Sequence, residues 1–286
     1  MMIKITGSSG YLGKVITTEL QKRNYPAEKI SRELLYGPVE KLSEVLKDTS
    51  VLINLAGAPV LQRWTARNKN EIYSSRINTV QNLVHAIHRL PVGERPQKVI
   101  SASAIGIYSS GIIHKEESKD FDTGFLGEVV KKWEEAWQAL PEDLQLTIFR
   151  TALVLGKESV IIKKLILPFK LGLGGKISNG KQPFPFIHEA DVVQAFLWAI
   201  TTPDSGGVFN LAAPQQITNS YFTQVMAKKL NRPAIFTIPT GVLKLLYGKA
   251  ASMLTHSPAV MPQKLIERRF TFQYLTIDKA LENILA

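Results

Sequence analysis

Cysteine is absent from this chain of 286 residues. Without cysteine there is no disulfide, no thiolate nucleophile and no thiolate metal site, which fits a reducing compartment. No apolar run approaches the roughly 20 residues that span a bilayer, and the polar strand and turn in residues 1–10 do not resemble a signal peptide. We therefore expect a cytoplasmic protein with no membrane partner and no metal site.

Internal repeats, low-complexity tracts and basic stripes interleaved with aromatics are also absent, so nucleic acid is not an expected partner. Lys and Arg exceed Asp and Glu by 11 over the whole chain, by 3 in residues 1–150 and by 8 in residues 151–286. The basic excess of the second part can steer an anionic small-molecule substrate. A solvated surface rich in lysine is the alternative interpretation.

The start of the chain carries its most informative motif, a short apolar strand at Ile3–Thr6 that breaks into three glycines and continues as a helix. Gly7 allows the sharp turn, Gly10 lets the backbone approach a pyrophosphate, and Gly13 lets the helix close onto the strand. This context predicts dinucleotide binding by Gly7, Ser8, Ser9, Gly10, Tyr11, Leu12 and Gly13. An ordinary strand-to-helix turn is the alternative.

Strand-like and helix-like segments alternate through the first two thirds of the chain, which predicts parallel βαβ units. The fold class is therefore α/β, a doubly wound Rossmann sheet with a small C-terminal α/β substrate lobe. The continuous apolar character of the strands suits a sheet buried on both faces. The predicted strands are Ile3–Thr6, a short polar one at 27–31, 51–55, 99–103 and a long one at 146–155, with helices at about 12–23, 40–47, 66–89 and 125–139.

After about residue 156 the glycines of a loop-rich stretch and a series of prolines indicate a smaller, more irregular unit. Helices are predicted there at about 189–201, 219–230 and 241–253. We expect a Rossmann domain over residues 1–156, to which 189–212 return, and a substrate lobe formed by 157–188 and 213–286.

The type of dinucleotide depends on the residue about 20 positions beyond the glycines, where an acid binds the ribose hydroxyls of NAD and an arginine accommodates the 2′-phosphate of NADP. This chain has Ser31 and Arg32 there. A hydroxyl beside a guanidinium suits a phosphate, so the pair favours NADP(H). Glu33 keeps NAD(H) open, because a shift of one residue would place a carboxylate in the pocket.

Together these residues resemble extended short-chain dehydrogenase/reductases, and more narrowly the atypical epimerase-family branch, typified by sugar-nucleotide-epimerase-like proteins. The resemblance covers essentially the whole chain. The Leu-Gly-Leu-Gly-Gly and Ile-His-x-x-Asp motifs within 171–175 and 187–191 are far more specific than the glycine triplet. The matching segments are 6–13, 54–57, 63–65, 75–79, 101–104, 133–134, 150–156, 168–175, 187–191, 210–214 and 232–233.

The resemblance implies a Rossmann domain that binds NADP(H) under a small lobe that closes over a substrate cleft. Family-like contacts fall on the glycine loop and on Ser31 and Arg32. Glu71 and Arg76 are further candidates, with an exposed ion pair as the alternative. The remaining implied cofactor contacts are Leu55, Ala56 and Gly57 after the fourth strand, Ser101 and Ala102 on the fifth, and Val154 after the sixth.

Catalysis in this superfamily uses a Tyr-x-x-x-Lys pair and a serine, in which the lysine and the nicotinamide lower the pKa of the tyrosine. Ser103 matches the serine. Counting back from Glu134, the residue that usually follows the pair, places Leu126 at the tyrosine position and Val130 at the lysine position. The resemblance therefore implies a site without its usual acid and base.

Two other groups are candidates for proton transfer. His188 can act as an acid or base near neutral pH, although a structural pair with Asp191 is an equal alternative. Tyr108 lies just past Ser103 but suits packing better, whereas Lys176 and Lys181 could bind an anionic substrate. We expect an NADP-dependent oxidoreductase or epimerase with Ser103 and His188 as catalytic candidates; a non-catalytic NADP(H) sensor is the alternative.

Overall fold

The computed structural model describes residues 1–286. Its strands are β1 Ile3–Thr6, β2 Ala27–Lys29, β3 Val51–Asn54, β4 Lys98–Ala104, β5 Ile113–His114, β6 Gln145–Thr151, β7 Leu153–Leu155, β8 Gly175–Ile177, β9 Phe186–His188, β10 Gly207–Leu211, β11 Phe236–Ile238 and β12 Ala259–Val260. Its helices are α1 Tyr11–Lys22, α2 Arg32–Tyr36, α3 Val39–Leu46, α4 Ala66–Ser74, α5 Ile77–His88, α6 Phe125–Ala136, α7 Val160–Lys170, α8 Glu189–Thr201, α9 Asn219–Lys229, α10 Thr240–Tyr247, α11 Ser252–Thr255, α12 Gln263–Glu267 and α13 Ile277–Leu285.

Six parallel strands form the central sheet in the order β10-β6-β4-β3-β1-β2. The predicted α/β Rossmann class is therefore confirmed. Because every strand runs in the same direction, the residues that follow β1, β3, β4 and β6 meet at one carboxyl edge, where ligands bind in open parallel sheets. None of the helices is both long and apolar enough to cross a bilayer.

Helices cover both faces of the sheet. On one face α1 and α8 bury Ile16 and Phe196 against β1, where Ile3 and Ile5 are fully buried. On the other face α3, α5 and α6 bury a second cluster that includes Leu83. Burial on both faces explains why these short strands read as continuous apolar runs rather than as alternating patterns.

A third core lies outside the sheet, under the pair β7–β9. Leu155 and Phe186 pack there with Phe222 of α9 and Leu281 of α13. Residues from 259 onward also return to the larger unit: β12 pairs with β5, and Leu265 and Phe272 belong to the first core cluster. The segment 213–286 thus contributes to both units.

The long strand predicted at 146–155 is in fact two strands. Ala152 donates its N–H to Leu211 O at 3.0 Å, and the chain then leaves the central sheet, so that β7 pairs with β9 instead. An unbroken apolar run indicates that a segment is buried, but it does not show that the segment changes the strand with which it pairs. The predicted strand at 27–31 ends at Lys29, and Ser31 caps α2. No separate strand lies between β2 and β3, so Leu55 follows the third strand of this chain.

The predicted helix 66–89 also divides, at Ser75 and Arg76. The Ser75 hydroxyl donates to Ile72 O at 3.2 Å and accepts the Ala58 N–H at 2.9 Å. These bonds fix the junction between α4 and α5. The predicted helix 241–253 ends earlier, because Gly248 adopts a left-handed φ of 59°.

Helix α7 was missed in a segment predicted to be rich in loops. Ser159 begins it by accepting the Ile162 N–H at 3.4 Å. Its lysines and Pro168 obscured the helical pattern, although Ser159 is a residue that favours N-caps.

Candidate cofactor and substrate site

The glycine loop between β1 and α1 is folded against the loop after β3. Gly7 has a left-handed φ of 67°, and a Cβ there would lie 2.5 Å from the Leu55 carbonyl carbon. A Cβ on Gly13 would overlap Gly7 O. Both positions therefore require glycine, Gly7 for the turn and Gly13 for the close approach of the helix to the strand.

Gly10 faces a more open space, since the nearest atom to an added Cβ is Gly7 O at 3.3 Å. It precedes α1 and supplies no side-chain cap. The backbone N–H groups of Tyr11, Leu12 and Gly13 make no hydrogen bond within the chain. Three free donors at a helix N-terminus form an anion-binding edge that is open to a pyrophosphate. Ser8 is half-buried and Ser9 exposed beside these donors.

A series of buried hydrogen bonds connects neighbouring strands near the carboxyl edge of the sheet. Thr6 donates to Asn54 Oδ1 at 2.7 Å, Asn54 Nδ2 donates to Ser101 Oγ at 3.3 Å, and Trp137 Nε1 donates to the same oxygen at 3.0 Å. Ser101 is fully buried. It therefore links the middle of β4 to the ends of β1 and β3, and its buried side chain is not exposed for the cofactor contact that we expected.

The predicted phosphate-binding position, Arg32, carries an exposed cation that pairs with Glu71. Ser31 accepts the Leu34 N–H at 3.3 Å, and the Arg32 side chain is 72% exposed. The Arg32 guanidinium lies 3.8 Å from Glu71 Oε1 and 5.6 Å from the centre of the Tyr36 ring. Hydrogen bonds from its own backbone N–H and from Ser31 lower the pKa of the Glu33 carboxyl. Glu33 is thus held beside the Ser31 cap.

Arg76 is a cation without a carboxylate partner. It donates to Ala58 O at 3.0 Å and to Ile72 O at 3.2 Å, and it lies 5.3 Å from the Trp133 ring centre. Burial lowers the pKa of Arg76 to about 10, so it stays charged at neutral pH. The structure therefore does not form the Glu71–Arg76 ion pair that we weighed as an alternative.

Gly57 makes room for this guanidinium, because a Cβ there would lie 2.9 Å from Arg76 Nη2. The positive charge is consequently held against the loop after β3, next to Ala56, at the same edge as the free N–H groups of α1. Ala102 on β4 and Val154 on β7 are both half-buried. They could supply only apolar or backbone contacts.

Ser103 belongs to a buried ionic network. Its hydroxyl donates to Glu134 Oε1 at 2.6 Å, and Arg150 binds both oxygens of that carboxylate, at 2.9 and 2.7 Å. Burial acts to lower the pKa of Arg150, but the bonds to Glu134 raise it above its ordinary value. Arg150 also donates to Tyr108 Oη at 2.7 Å, and Tyr108 donates to Asn210 Oδ1 at 2.9 Å.

This network occupies the polar groups that the sequence offered for catalysis. Ser103 is 5% exposed and Tyr108 is 2% exposed. At the positions of the usual tyrosine and lysine, Leu126 is half-buried and Val130 packs in the first core. Lys131 and Lys132, which follow, are exposed. No acid or base side chain stands in the usual place.

His188 has the contacts of a structural residue. Its Nδ1 accepts the Ala190 N–H at 3.1 Å to cap α8, and its ring stacks on Tyr274 with centroids 3.7 Å apart. Burial lowers the pKa of His188 to about 4, so the ring is neutral at pH 7. The His188–Asp191 pair that we weighed as the alternative does not form: Asp191 accepts the N–H groups of Gln273 and Tyr274 at 2.6 and 3.1 Å. The motif therefore fastens the C-terminal segment to α8.

Two contacts between units were not foreseen. Arg63, on the loop after β3, donates to the backbone carbonyls of Leu245 and Leu246 at the end of α10. Tyr11 donates its hydroxyl to Glu189 at the start of α8. The two residues of each pair lie more than 170 positions apart in the chain, so their spacing in the sequence could not predict the contact.

Comparisons with known proteins agree with this geometry. Residues 3–212 match the model of the NAD dependent epimerase/dehydratase family. The chain belongs to this family. Residues 238–284 match a domain of unknown function. The epimerase family protein SDR39U1 of Mus musculus is 30% identical over the full length of both chains. The predicted resemblance to the epimerase-family branch is confirmed.

Solved structures extend the comparison. A crystal structure of the human epimerase family protein SDR39U1 with NADPH is 29% identical, covers 99% of each chain and superposes with a TM-score of 0.92. A nucleoside-diphosphate sugar epimerase from Corynebacterium glutamicum is 25% identical with a TM-score of 0.80, covering this whole chain and 58% of the other. The extended short-chain dehydrogenase fold is thus shared throughout the chain.

The depressed pKa of His188 predicts a pH dependence of stability. The unfolded chain binds a proton near pH 6.5 and the folded chain only near pH 4, so the free energy of unfolding falls as pH falls through that window. The contribution of this one group amounts to about 3 kcal/mol. In His188→Asn, which keeps an N-cap acceptor, urea unfolding at a series of pH values should show a flatter slope. An unchanged slope would mean that His188 titrates normally.

Proposed function

We propose that this chain binds NADP(H) and acts as an atypical short-chain dehydrogenase-like oxidoreductase or epimerase on a small molecule. The observation that carries the proposal is the anion-binding edge at the start of α1. There Gly7 and Gly13 bring strand and helix together, and three backbone N–H groups remain free. The NADPH in the human relative's structure supports the choice of cofactor.

The chain's own residues suggest how the cofactor would be held. The N–H groups of Tyr11, Leu12 and Gly13 would bind the pyrophosphate, beside Gly10, where no side chain intervenes. Ser31 and Arg32 would bind the adenosine 2′-phosphate, for which a guanidinium offers paired donors. Arg76, a half-buried cation without an acid partner, would supply further positive charge against the loop after β3.

Bound NADPH supplies a hydride for a carbonyl or related carbon. The protein contributes no ionisable group at positions 126 and 130, and the Ser103 hydroxyl donates its hydrogen bond to the Glu134 carboxylate. The proton that accompanies a hydride would therefore come from water or from the substrate itself. The Ser103–Glu134–Arg150 network instead fixes β4, α6 and β6 behind the site.

A non-catalytic NADP(H) sensor is the second candidate. It is favoured by one observation: all three polar positions of the usual catalytic set are apolar or occupied in the buried network. Under this proposal the contact of Arg63 with α10 would transmit the state of the cofactor to the lobe.

Arg32 and Glu33 form a matched pair of test positions. Arg32→Ala should weaken NADPH binding by about ten- to a hundredfold, since a lost charge-assisted contact costs about 1.5–3 kcal/mol, and should leave NADH binding unchanged. Glu33→Gln should leave the preference for NADPH in place. Fluorescence titration of both cofactors measures this. Equal binding of NADH and NADPH, or an NADH defect in Glu33→Gln, would contradict the assignment.

Gly10 and Gly13 provide a second pair. Gly10→Val should abolish cofactor binding, because its side chain enters the space in front of the free N–H groups, while changing the free energy of unfolding by less than about 1 kcal/mol. Gly13→Val should instead destabilise the fold by about 1–3 kcal/mol or more, since its Cβ overlaps Gly7 O. Titration and urea unfolding separate the two. Normal NADPH binding by Gly10→Val would mean that the loop is only a strand-to-helix turn and does not bind the cofactor.

Turnover separates the enzyme from the sensor. With no positioned acid, reduction of aldehydes, ketones or quinones should be slower than in a typical enzyme by about 10²–10⁴-fold. Absorbance at the NADPH band measures the rate. Slow turnover that persists in Ser103→Ala supports the enzyme, and tight NADPH binding with no turnover over the whole panel supports the sensor. A rate of about 10 s⁻¹ on a simple ketone would contradict this account of the site.

A further inference from the structure

The lobe exposes apolar side chains on two neighbouring helices. On α10, Val242, Leu245 and Leu246 are 46%, 72% and 57% exposed, and their spacing places them on one side of the helix. Leu167 of α7 and Leu171, which directly follows that helix, are 62% and 64% exposed. Leu243 is the one buried residue of α10, so most of this helix is open to solvent. Apolar side chains exposed together in this way usually mark a binding surface.

This apolar face lies beside the carboxyl edge of the sheet. Arg63, on the loop after β3, donates to the carbonyls of Leu245 and Leu246. Lys164 of α7 lies 5.7 Å from the ring centre of Tyr247, at the end of α10, so the two helices are neighbours. The end of α10 is therefore joined by Arg63 to the loop that follows β3, on the side of the sheet where the dinucleotide is proposed to bind.

The sheet side of the same region presents two aromatic side chains, with Lys69 Nζ 4.8 Å from the centre of the Phe125 ring. Trp64, which follows Arg63, packs edge-on against Phe125 with centroids 5.1 Å apart. Phe125 precedes Leu126, which stands where a phenol would otherwise lie. Apolar and aromatic groups thus continue from α10, past Arg63, to the expected position of the reacting group.

We propose that the substrate site formed by α10, the Trp64–Phe125 pair and Leu126 takes a predominantly apolar small molecule with a reducible carbonyl, rather than a sugar nucleotide. This rests on the proposed function, because the cofactor edge locates the site. A polyhydroxylated sugar placed against these side chains would lose its hydrogen bonds to water without replacement. An alkyl or aromatic chain would instead remove the exposed leucines from water.

Calorimetric titration of the full chain, saturated with NADPH, tests this. The probes are 2-decanone, dihydroxyacetone as a small polar ketone, and UDP-glucose. We expect binding of 2-decanone alone. The double variant Leu245→Gln, Leu246→Gln should bind it about tenfold more weakly. The control is Val92→Gln, since Val92 is 66% exposed but precedes β4 at the opposite edge of the sheet.

The other occupants of an apolar face are separate outcomes. UDP-glucose binding without 2-decanone binding overturns the proposal. Two further results would also overturn it, provided that the double variant abolishes them: a dimer in sedimentation, or binding to phosphatidylglycerol vesicles. NADPH titration of the same variants keeps the two proposals apart: if NADPH binds and 2-decanone does not, only the apolar substrate is wrong, whereas failure to bind NADPH contradicts the proposed function itself.

Discussion

The buried pair of Arg150 and Glu134 is the interaction on which most of this structure depends. Its side chains are 7% and 13% exposed, and removing one partner of such a pair leaves an uncompensated charge that costs about 3–5 kcal/mol. The pair joins α6 to β6 and occupies Ser103 and Tyr108, two of the polar groups that might otherwise act in catalysis. The same bonds that stabilise the sheet thus leave the substrate side without a free acid or base.

The sequence predicted the parts of the fold that are set by local backbone constraints. Gly7 needs a left-handed φ and Gly13 a close approach, so the loop could be identified from the glycines and the strand before them. Where partners are distant, prediction failed. Nothing in the run 146–155 shows that the chain changes sheets at Ala152, and nothing near Asp191 shows that it binds the backbone of residues 273–274.

In the candidate site, too, local features were predictable and contacts between distant residues were not. The spacing of Ser31 and Arg32 from the glycines was enough to propose the phosphate site, and the exposed Arg32 suits it. The roles of Ser101 and His188 were not predictable, because the sequence of a family motif does not show whether its serine or histidine faces a ligand or is buried. Only tertiary contacts distinguish the two cases: Ser101 bonds to Trp137, and His188 stacks on Tyr274.

A crystal structure of the NADPH complex tests the central claim most directly, namely that this chain keeps the cofactor site of its family but has an apolar substrate side. The account predicts the 2′-phosphate within hydrogen-bonding distance of Arg32, the pyrophosphate on the N–H groups of Tyr11 and Leu12, and only apolar side chains from α6 beside the nicotinamide. A 2′-phosphate away from Arg32, or an ionisable side chain in contact with the nicotinamide, would contradict it.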